Sequence, residues 1–366
     1  MKRKLGISIY PSNQSFKEMT DYIDKAHKYG FTRIFSSLLE IPNGDKKKVE
    51  SKYKKIFKYA SDLGFNICLD VNPDIFKDLK ISPSDLSFFN KIYVNTIRLD
   101  SPFDSKTEAE MTFNPYGMDI EVNISNFTSY IDNIKKYKPI TDRLVGCHNF
   151  YPQVNSGLDF NFFLESSKYA KSKGIRTAAF VSSSQGKIGP WPTNDGLPTL
   201  EMHRTLPIQT QAKHLWATGH IDDIIIGNAN ASEQELKLLS EISMYKIELD
   251  VKFQKETSKL EKDIVLNFSH FRRGDINSYT IRSTMSRVVY KDEDFKPHNN
   301  DLEQEKGNIY IGNNNFKNYK GELQLVLQNI ETDNRKNLVA KVVDHEKFLI
   351  DYITPWQKFK FKEVKK

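Results

Sequence analysis

A helix that stops at a glycine and runs straight into an apolar strand recurs along the first two-thirds of this chain, and that unit constrains the fold most. Met19, Tyr22, Ile23 and Ala26 recur at helical spacing, Gly30 ends the helix, and Phe31-Thr-Arg-Ile-Phe35 follows as a β-rich run. Glycine suits such a stop because it enters the left-handed region without strain. The unit returns at Val49–Ala60, Gly64 and Phe65–Leu69, and again at Phe162–Ala170, Gly174 and Ile175–Val181. Two capping boxes, Ser15-Phe-Lys-Glu18 and Ser232-Glu-Gln-Glu235, mark helix starts.

Eight strands are expected, at Gly6–Tyr10, Thr32–Phe35, Asn66–Asp70, Thr96–Asp100, Asp119–Ile124, Arg143–His148, Ile175–Val181 and Asp222–Gly227. Strands alternating with helices predict a parallel sheet. Eight βα units in about 240 residues match a closed (β/α)8 TIM barrel. The alternative, an open doubly wound sheet, would place a glycine-rich phosphate loop after its first strand. Here that strand ends Ile9-Tyr-Pro-Ser12.

From about Tyr245 the period changes to two. Strands are expected at Ile247–Phe253, Ile264–Phe268, Tyr279–Arg282, Arg287–Tyr290, Asn308–Gly312, Gly321–Gln328 and Asn337–Val343, with a turn at Asn313–Asn315. These predict a small all-β barrel domain. The expected division is a catalytic barrel over residues 1–243 and a β-domain over 244–366.

No stretch reaches the ~20 apolar residues of a membrane span. The N-terminus lacks the apolar core of a signal peptide, so a cytoplasmic location is expected. Cys68 and Cys147 lie in apolar runs at no metal-ligand spacing and read as buried free thiols. The formal net charge is +7, yet no nucleic-acid module signature accompanies it. Its basic cluster, Lys358–Lys366, reads as solvated surface, and a basic pocket for an anionic small molecule fits the same charge. No metal set, cofactor loop or serine nucleophile elbow stands out.

In such a barrel the chemistry sits at the C-terminal ends of the strands. That selects Glu40, Asp70, Arg98, Asp100, Asn123, His148, Asn149 and Tyr151, together with Glu201, His203 and Arg204 in the loop after strand 7. Alternation puts Arg98 and Asp100 on one face. Asp70 on the adjacent strand would share Arg98 or a proton with them, which suits a general acid and base. Each residue also has a structural reading. Asp70 and Asp100 could cap turns, Arg98 could be a buried partner, and Glu201 could sit at a helix N-terminus. His148 has no second histidine at ligand spacing. Tyr151 and Trp191 could be core or sugar-stacking faces. Two carboxylates are the minimum for glycoside hydrolysis.

Gly6-Ile-Ser-Ile-Tyr10, Phe35-Ser-Ser-Leu38, Ile97-Arg-Leu-Asp100, His148-Asn-Phe-Tyr-Pro152 and Leu197-Pro-Thr-Leu-Glu-Met-His-Arg204 resemble the 6-phospho-N-acetylmuramidases of the MupG type. That family was formerly described as outer-surface-protein-like proteins of unknown function. The resemblance covers nearly the whole chain, and it implies a cyclophilin-like C-terminal domain containing Arg273-Gly-Asp275 and Ile281-Arg-Ser283. It also implies hydrolysis, inside the cell and without a cofactor, of the β-1,4 bond of N-acetylmuramic acid 6-phosphate–N-acetylglucosamine from peptidoglycan turnover.

The implied partner is thus a phosphorylated amino-sugar disaccharide, with no nucleic acid and no membrane; a homo-oligomer stays open. Asp70, Asp100, Asn123, His148, Asn149, Tyr151, Glu201, His203 and Arg204 fall at matching positions. Asp70 and Asp100 are the expected carboxylates, with Glu201 in reserve. Arg98, Arg204 and His148 are the expected contacts to phosphate or lactyl group, with Arg273 or Arg282 as helpers. The segment Leu38-Leu-Glu-Ile-Pro42 departs from the family in the place of its acidic residue, so no role carries over to Glu40. The rivals are a non-catalytic phosphosugar sensor and a sugar-phosphate lyase or isomerase on the same barrel.

Overall fold

A computed structural model describes residues 2–39, 46–126, 128–193 and 195–364. Glu40 lies outside them. The chain divides into two compact units, Met1–Glu241 and Ile242–Lys366.

In the first unit, eight strands close into one parallel barrel in chain order: β1 (Lys4–Ser8), β2 (Arg33–Ser37), β3 (Asn66–Val71), β4 (Thr96–Leu99), β5 (Asp119–Asn123), β6 (Leu144–Cys147), β7 (Arg176–Val181) and β8 (Asp223–Ile226). Each expected strand is present. The outer helices include α1 (Phe16–Lys28), α2 (Lys46–Asp62), α3 (Pro73–Asp78), α4 (Ser87–Lys91), α5 (Ser105–Met111), α6 (Tyr130–Lys136), α7 (Phe160–Ser172), α8 (Ile208–Ala217) and α9 (Glu233–Ser240). Both capping boxes form, each closed by the serine hydroxyl and the glutamate three residues on. Gly30, Gly64 and Gly174 all have positive φ at the ends of their helices.

The register sets the barrel interior. Asp70 pairs with Arg98 across β3 and β4, Arg98 with Glu121 across β4 and β5, and Asn123 with Cys147 across β5 and β6. Alternation turns these side chains inward and Leu69, Ile97 and Leu99 out toward the helices. The floor holds a buried ion network. Arg33 pairs with Glu121, and also with Asp223 at 3.0 Å, which Arg176 Nε meets at 3.0 Å as well. Cys68 and Cys147 are buried free thiols, and burial pushes both thiol pKa values up. Higher in the barrel, Phe35, Phe150 and Phe180 pack edge to face with ring centroids 5.0–5.9 Å apart.

The second unit is a seven-stranded mixed sheet, nearly closed into a barrel, in the order β10-β15-β9-β14-β12-β13-β11. Its strands are β9 (Ile247–Phe253), β10 (His270–Phe271), β11 (Thr280–Ser283), β12 (Asn308–Gly312), β13 (Leu323–Val326), β14 (Lys336–Val342) and β15 (Lys358–Glu363). Two expected strands are helices instead.

Ile264–Phe268 lies mostly within α10 (Lys259–Asn267), because Ser258 and Glu261 form a third capping box and Ile264 and Val265 are buried on one helical face. Arg287–Tyr290 falls at α11 (Ser286–Val289), where Val288 and Val289 are exposed rather than alternately buried. Part of the basic C-terminal cluster is strand β15. Phe359 and Phe361 alternate into the core and their lysine neighbours face out, so the lysines mask a period of two. Asn313 caps a 3-10 helix at Asn314–Tyr319. No helix among the described residues is long and apolar enough to cross a membrane.

Candidate active site

Asp70, Arg98 and Asp100 meet at the C-terminal end of β3 and β4. Arg98 Nη1 donates both to Asp70 Oδ1, in a short contact, and to Asp100 Oδ1 at 3.4 Å. Its Nη2 donates to Asn149 Oδ1. Asp70 and Arg98 are buried, whereas the Asp100 side chain is 39% exposed. Ser37 at the end of β2 donates to Asp70 Oδ2 at 3.3 Å. Burial pushes the Asp70 carboxyl up to about 6; Arg98 opposes the shift and Asp100 adds to it. The site therefore holds a carboxyl poised near neutral pH next to a more exposed carboxylate, on one guanidinium.

Asn123, half-buried, reaches the Asp100 carbonyl at 3.5 Å and accepts from Ser125 N. Ser125 Oγ accepts from Asn149 N at 2.7 Å and hydrogen-bonds the Tyr151 hydroxyl, whose pKa burial raises. Phe150 sits between them on the Phe35–Phe180 layer, with Trp191, 40% exposed, against it at 5.9 Å. Trp191 and Phe150 give the mouth an aromatic wall. Ser37, Ser125 and Phe150 escaped the sequence reading. Ser125 lies two residues after Asn123, a position its alternation could have flagged.

The other four residues occupy different places. His148 turns outward from β6 into the wall. Its Nε2 meets Ser167 Oγ of α7 at 2.9 Å, its ring lies 4.6 Å from Phe163, and Nδ1 has no hydrogen-bond partner among the described residues. Burial, aided by the Arg98 charge, drops its pKa to about 3. His203 is buried against His214, Nε2 to Nδ1 at 2.8 Å, and burial holds it well below the ordinary histidine range.

Glu201 is a clasp. It accepts from Asn155 N at 3.0 Å, Gly157 N at 2.8 Å and both Nε and Nη2 of Arg204 at 2.7 Å. Arg204 and the two amides hold its pKa down at about 2. Arg204 spends its remaining donors on the carbonyls of Tyr151, Asp195 and Gly196. The structure thus gathers Asp70, Arg98, Asp100, Asn123, Asn149 and Tyr151, and uses Glu201, His203, Arg204 and His148 to hold the frame around them.

Many barrels grip phosphate in the loops after strands 7 and 8. Here that place holds a carboxylate of the chain itself. Glu235 accepts from Ser184 N at 2.8 Å, Ser183 Oγ at 2.8 Å and Ser232 N at 2.9 Å. Burial would raise its pKa, but these bonds outweigh it and hold the carboxyl below the usual range. Among the described residues, no group of three or more His, Cys, Asp or Glu is placed to hold a metal ion.

Two tests follow from the frame. Glu201→Gln should make the 151–157 loop several-fold more susceptible to cleavage, because it loosens that loop without touching the carboxylates. Limited proteolysis of variant and wild type would check it.

The buried histidines predict acid lability. His148 and His214 have folded pKa values depressed to about 3 and about 4 by burial, against about 6.5 unfolded. Their stabilisation is present above pH ~6.5 and is lost as pH falls toward those folded values. The thermal midpoint should drop between pH 7 and pH 4.5, and His148→Gln, which can keep the Ser167 bond, should drop less.

Fold and site together define a (β/α)8-barrel protein with a carboxylate pair and an aromatic wall at its mouth, an arrangement found in glycoside hydrolases. The chain belongs to the 6-phospho-N-acetylmuramidase family: the family's N-terminal model matches residues 5–241 and its C-terminal model residues 247–362. Among solved structures it is similar to an uncharacterised protein from B. cereus. Identity is 46%, over 99% of this chain and 100% of that one, with a TM-score of 0.92. A conserved protein of unknown function from Enterococcus faecalis shares the fold at 23% identity, over 98% of this chain and 96% of that one, with a TM-score of 0.72. No curated protein matches the chain.

Proposed function

We propose that the protein hydrolyses the β-1,4 bond of N-acetylmuramic acid 6-phosphate–N-acetylglucosamine in the cytoplasm, as a step of peptidoglycan recycling. Family membership supports the substrate class. The observation that carries the chemistry is the meeting of Asp70 and Asp100 on one nitrogen of Arg98. Two oxygens bonded to one nitrogen at these lengths lie less than about 6 Å apart, nearer the ~5–5.5 Å of retaining enzymes than the ~6.5–9.5 Å of inverting ones.

Asp70, with its carboxyl raised to about 6, is the general acid. Asp100 is the nucleophile. Asp100 attacks the anomeric carbon, the C1–O bond breaks, and its electron pair takes the Asp70 proton as N-acetylglucosamine leaves. Water then loses a proton to Asp70 and attacks the same carbon, which frees Asp100. Trp191 and Phe150 offer faces for the sugar rings.

The test incubates the purified protein with the 6-phosphorylated disaccharide and with its unphosphorylated twin, and follows products by mass spectrometry. Release of N-acetylglucosamine from the phosphorylated form alone is expected, with the β-anomer as the first-formed product by NMR. Binding without release would favour the sensor. First-formed α-anomer would remove the covalent role of Asp100.

A further inference from the structure

The second unit carries a cavity of about 470 Å³ lined by Tyr279, Thr280, Arg282, Phe316, Tyr319, Gln324, Ile330 and Lys336. We propose that this cavity of the second unit is a binding site for a phosphorylated sugar, in which Lys336 and Arg282 hold the phosphate and Tyr319 and Phe316 face the ring. The site stands on the geometry of the second unit. Only the choice of an amino sugar as ligand rests on the proposed function.

The cations come first. Arg282 on β11 and Gln324 on β13 are register partners, so both project from the same face. Glu322, fully buried, takes Arg282 Nε at 2.7 Å and Nη2 at 3.1 Å, which leaves the Nη1 edge of the guanidinium for a ligand. Arg287 approaches the same carboxylate at 3.4 Å, so two guanidiniums face one negative charge. Lys336 is undercompensated in the same sense. Its side chain is only 11% exposed, and its contact to Asp333 is 3.5 Å long. Arg335 already takes both oxygens of Asp333, at 2.8 and 3.0 Å. Burial accordingly pushes the Lys336 ammonium below its usual range. A phosphate in the cavity would relieve both imbalances, since a buried charge is costly until it is paired.

The aromatic side of the cavity is built as firmly. Phe316 and Tyr319 come from the 3-10 helix Asn314–Tyr319, with centroids 5.2 Å apart. That segment presses on β12. A Cβ at Gly312 would lie 2.3 Å from the Tyr319 carbonyl oxygen, so only glycine admits it. Arg282 and Arg287 lie over the Tyr319 ring, 5.5 and 4.9 Å from its centroid, yet Tyr319 remains 42% exposed and Tyr279 54%, so aromatic surface is left for a ligand. Cations beside aromatic faces, with Gln324 and Thr280 as polar contacts, match a sugar phosphate better than a bare ion or an apolar ligand.

The test reads the cavity directly. Isoleucine methyl groups are labelled in the full chain, and the Ile330 signal is followed by NMR on titration with N-acetylglucosamine 6-phosphate, inorganic phosphate and N-acetylglucosamine. A saturable shift with the sugar phosphate is expected, weaker with phosphate and absent with the neutral sugar. Lys336→Gln should weaken binding about tenfold or more, the worth of one charge-assisted contact. Tyr319→Ala should weaken it independently. Arg282 is left intact, because its removal would strand Glu322. No shift at Ile330, or equal binding by Lys336→Gln, would overturn the site; equal binding of phosphate alone would overturn the sugar half. Disaccharide turnover is assayed separately, so an inactive barrel and an empty cavity give different results.

Discussion

Asp100→Asn should reduce kcat/KM by about 10⁴-fold or more on every substrate, whereas Asp70→Asn should lose about 10²–10⁴-fold only where the leaving group needs a proton. The difference follows from the geometry at Arg98. Asp70 is buried, bonded to Ser37 and Arg98, and raised to about 6; Asp100 is exposed toward the mouth. From the proposed disaccharide, the N-acetylglucosamine unit would depart as an alkoxide, so it needs the proton. A dinitrophenyl glycoside of N-acetylmuramic acid 6-phosphate releases a stable phenolate and does not. Asp70→Asn should therefore be nearly rescued on the aryl substrate, and Asp100→Asn should not. Azide added to Asp100→Ala should restore some turnover by replacing the missing nucleophile.

The pH profile carries the same sign. The acid must be protonated, so kcat/KM of the wild type should fall as pH rises through about 6, and Asp70→Asn on the aryl substrate should lose that limb. Equal losses on both substrates for both variants would remove the assignment.

What the sequence disclosed depends on how local each signal is. The barrel strands were legible because their signals are local: apolar runs throughout, with a helical stripe and a glycine stop before three of them. Asp70, Arg98 and Asp100 were legible because strand parity and the C-terminal-end rule are local too.

Glu201, His203 and Arg204 were harder. Their meaning lies in partners far along the chain, such as the Tyr151 carbonyl for Arg204 and the Asn155 and Gly157 amides for Glu201. In the structure that string clasps the loop at residues 151–157. In the second unit, Ile264-Val-Leu-Asn-Phe268 has a strand-like composition, but the Ser258–Glu261 box upstream nucleates a helix, and capping outweighs β-propensity there. The apolar floor signal also hid something. Arg33, Glu121 and Asp223 sit at inward positions of short strands, and nothing local says that they meet.

That floor gives the largest expected effect on stability. Arg33→Met should destabilise the barrel by about 3–5 kcal/mol, because it leaves a buried carboxylate without its counter-charge. Glu121 is fully buried and accepts from the Cys68 thiol at 3.4 Å, and Arg98, its register partner on β4, supplies only a more distant positive charge. Asp223 keeps Arg176, so the loss falls on Glu121. For a unit of this size the change corresponds to a fall in thermal midpoint of about 10 °C.

The pairing logic can be separated from side-chain size. Arg33→Met combined with Glu121→Met removes both charges, and should recover most of the loss, since an apolar replacement of a whole buried pair is near neutral. If the double variant were as unstable as the single one, packing rather than charge would govern the floor. Below its transition, Arg33→Met should keep most of the wild-type kcat, because Arg33 and Asp223 open their strands, away from the Asp70–Arg98–Asp100 cluster, with Glu121, the register partner of Arg98, between the two. A chain that lost turnover while still folded would join the two layers and contradict the division of labour that the barrel builds along each strand.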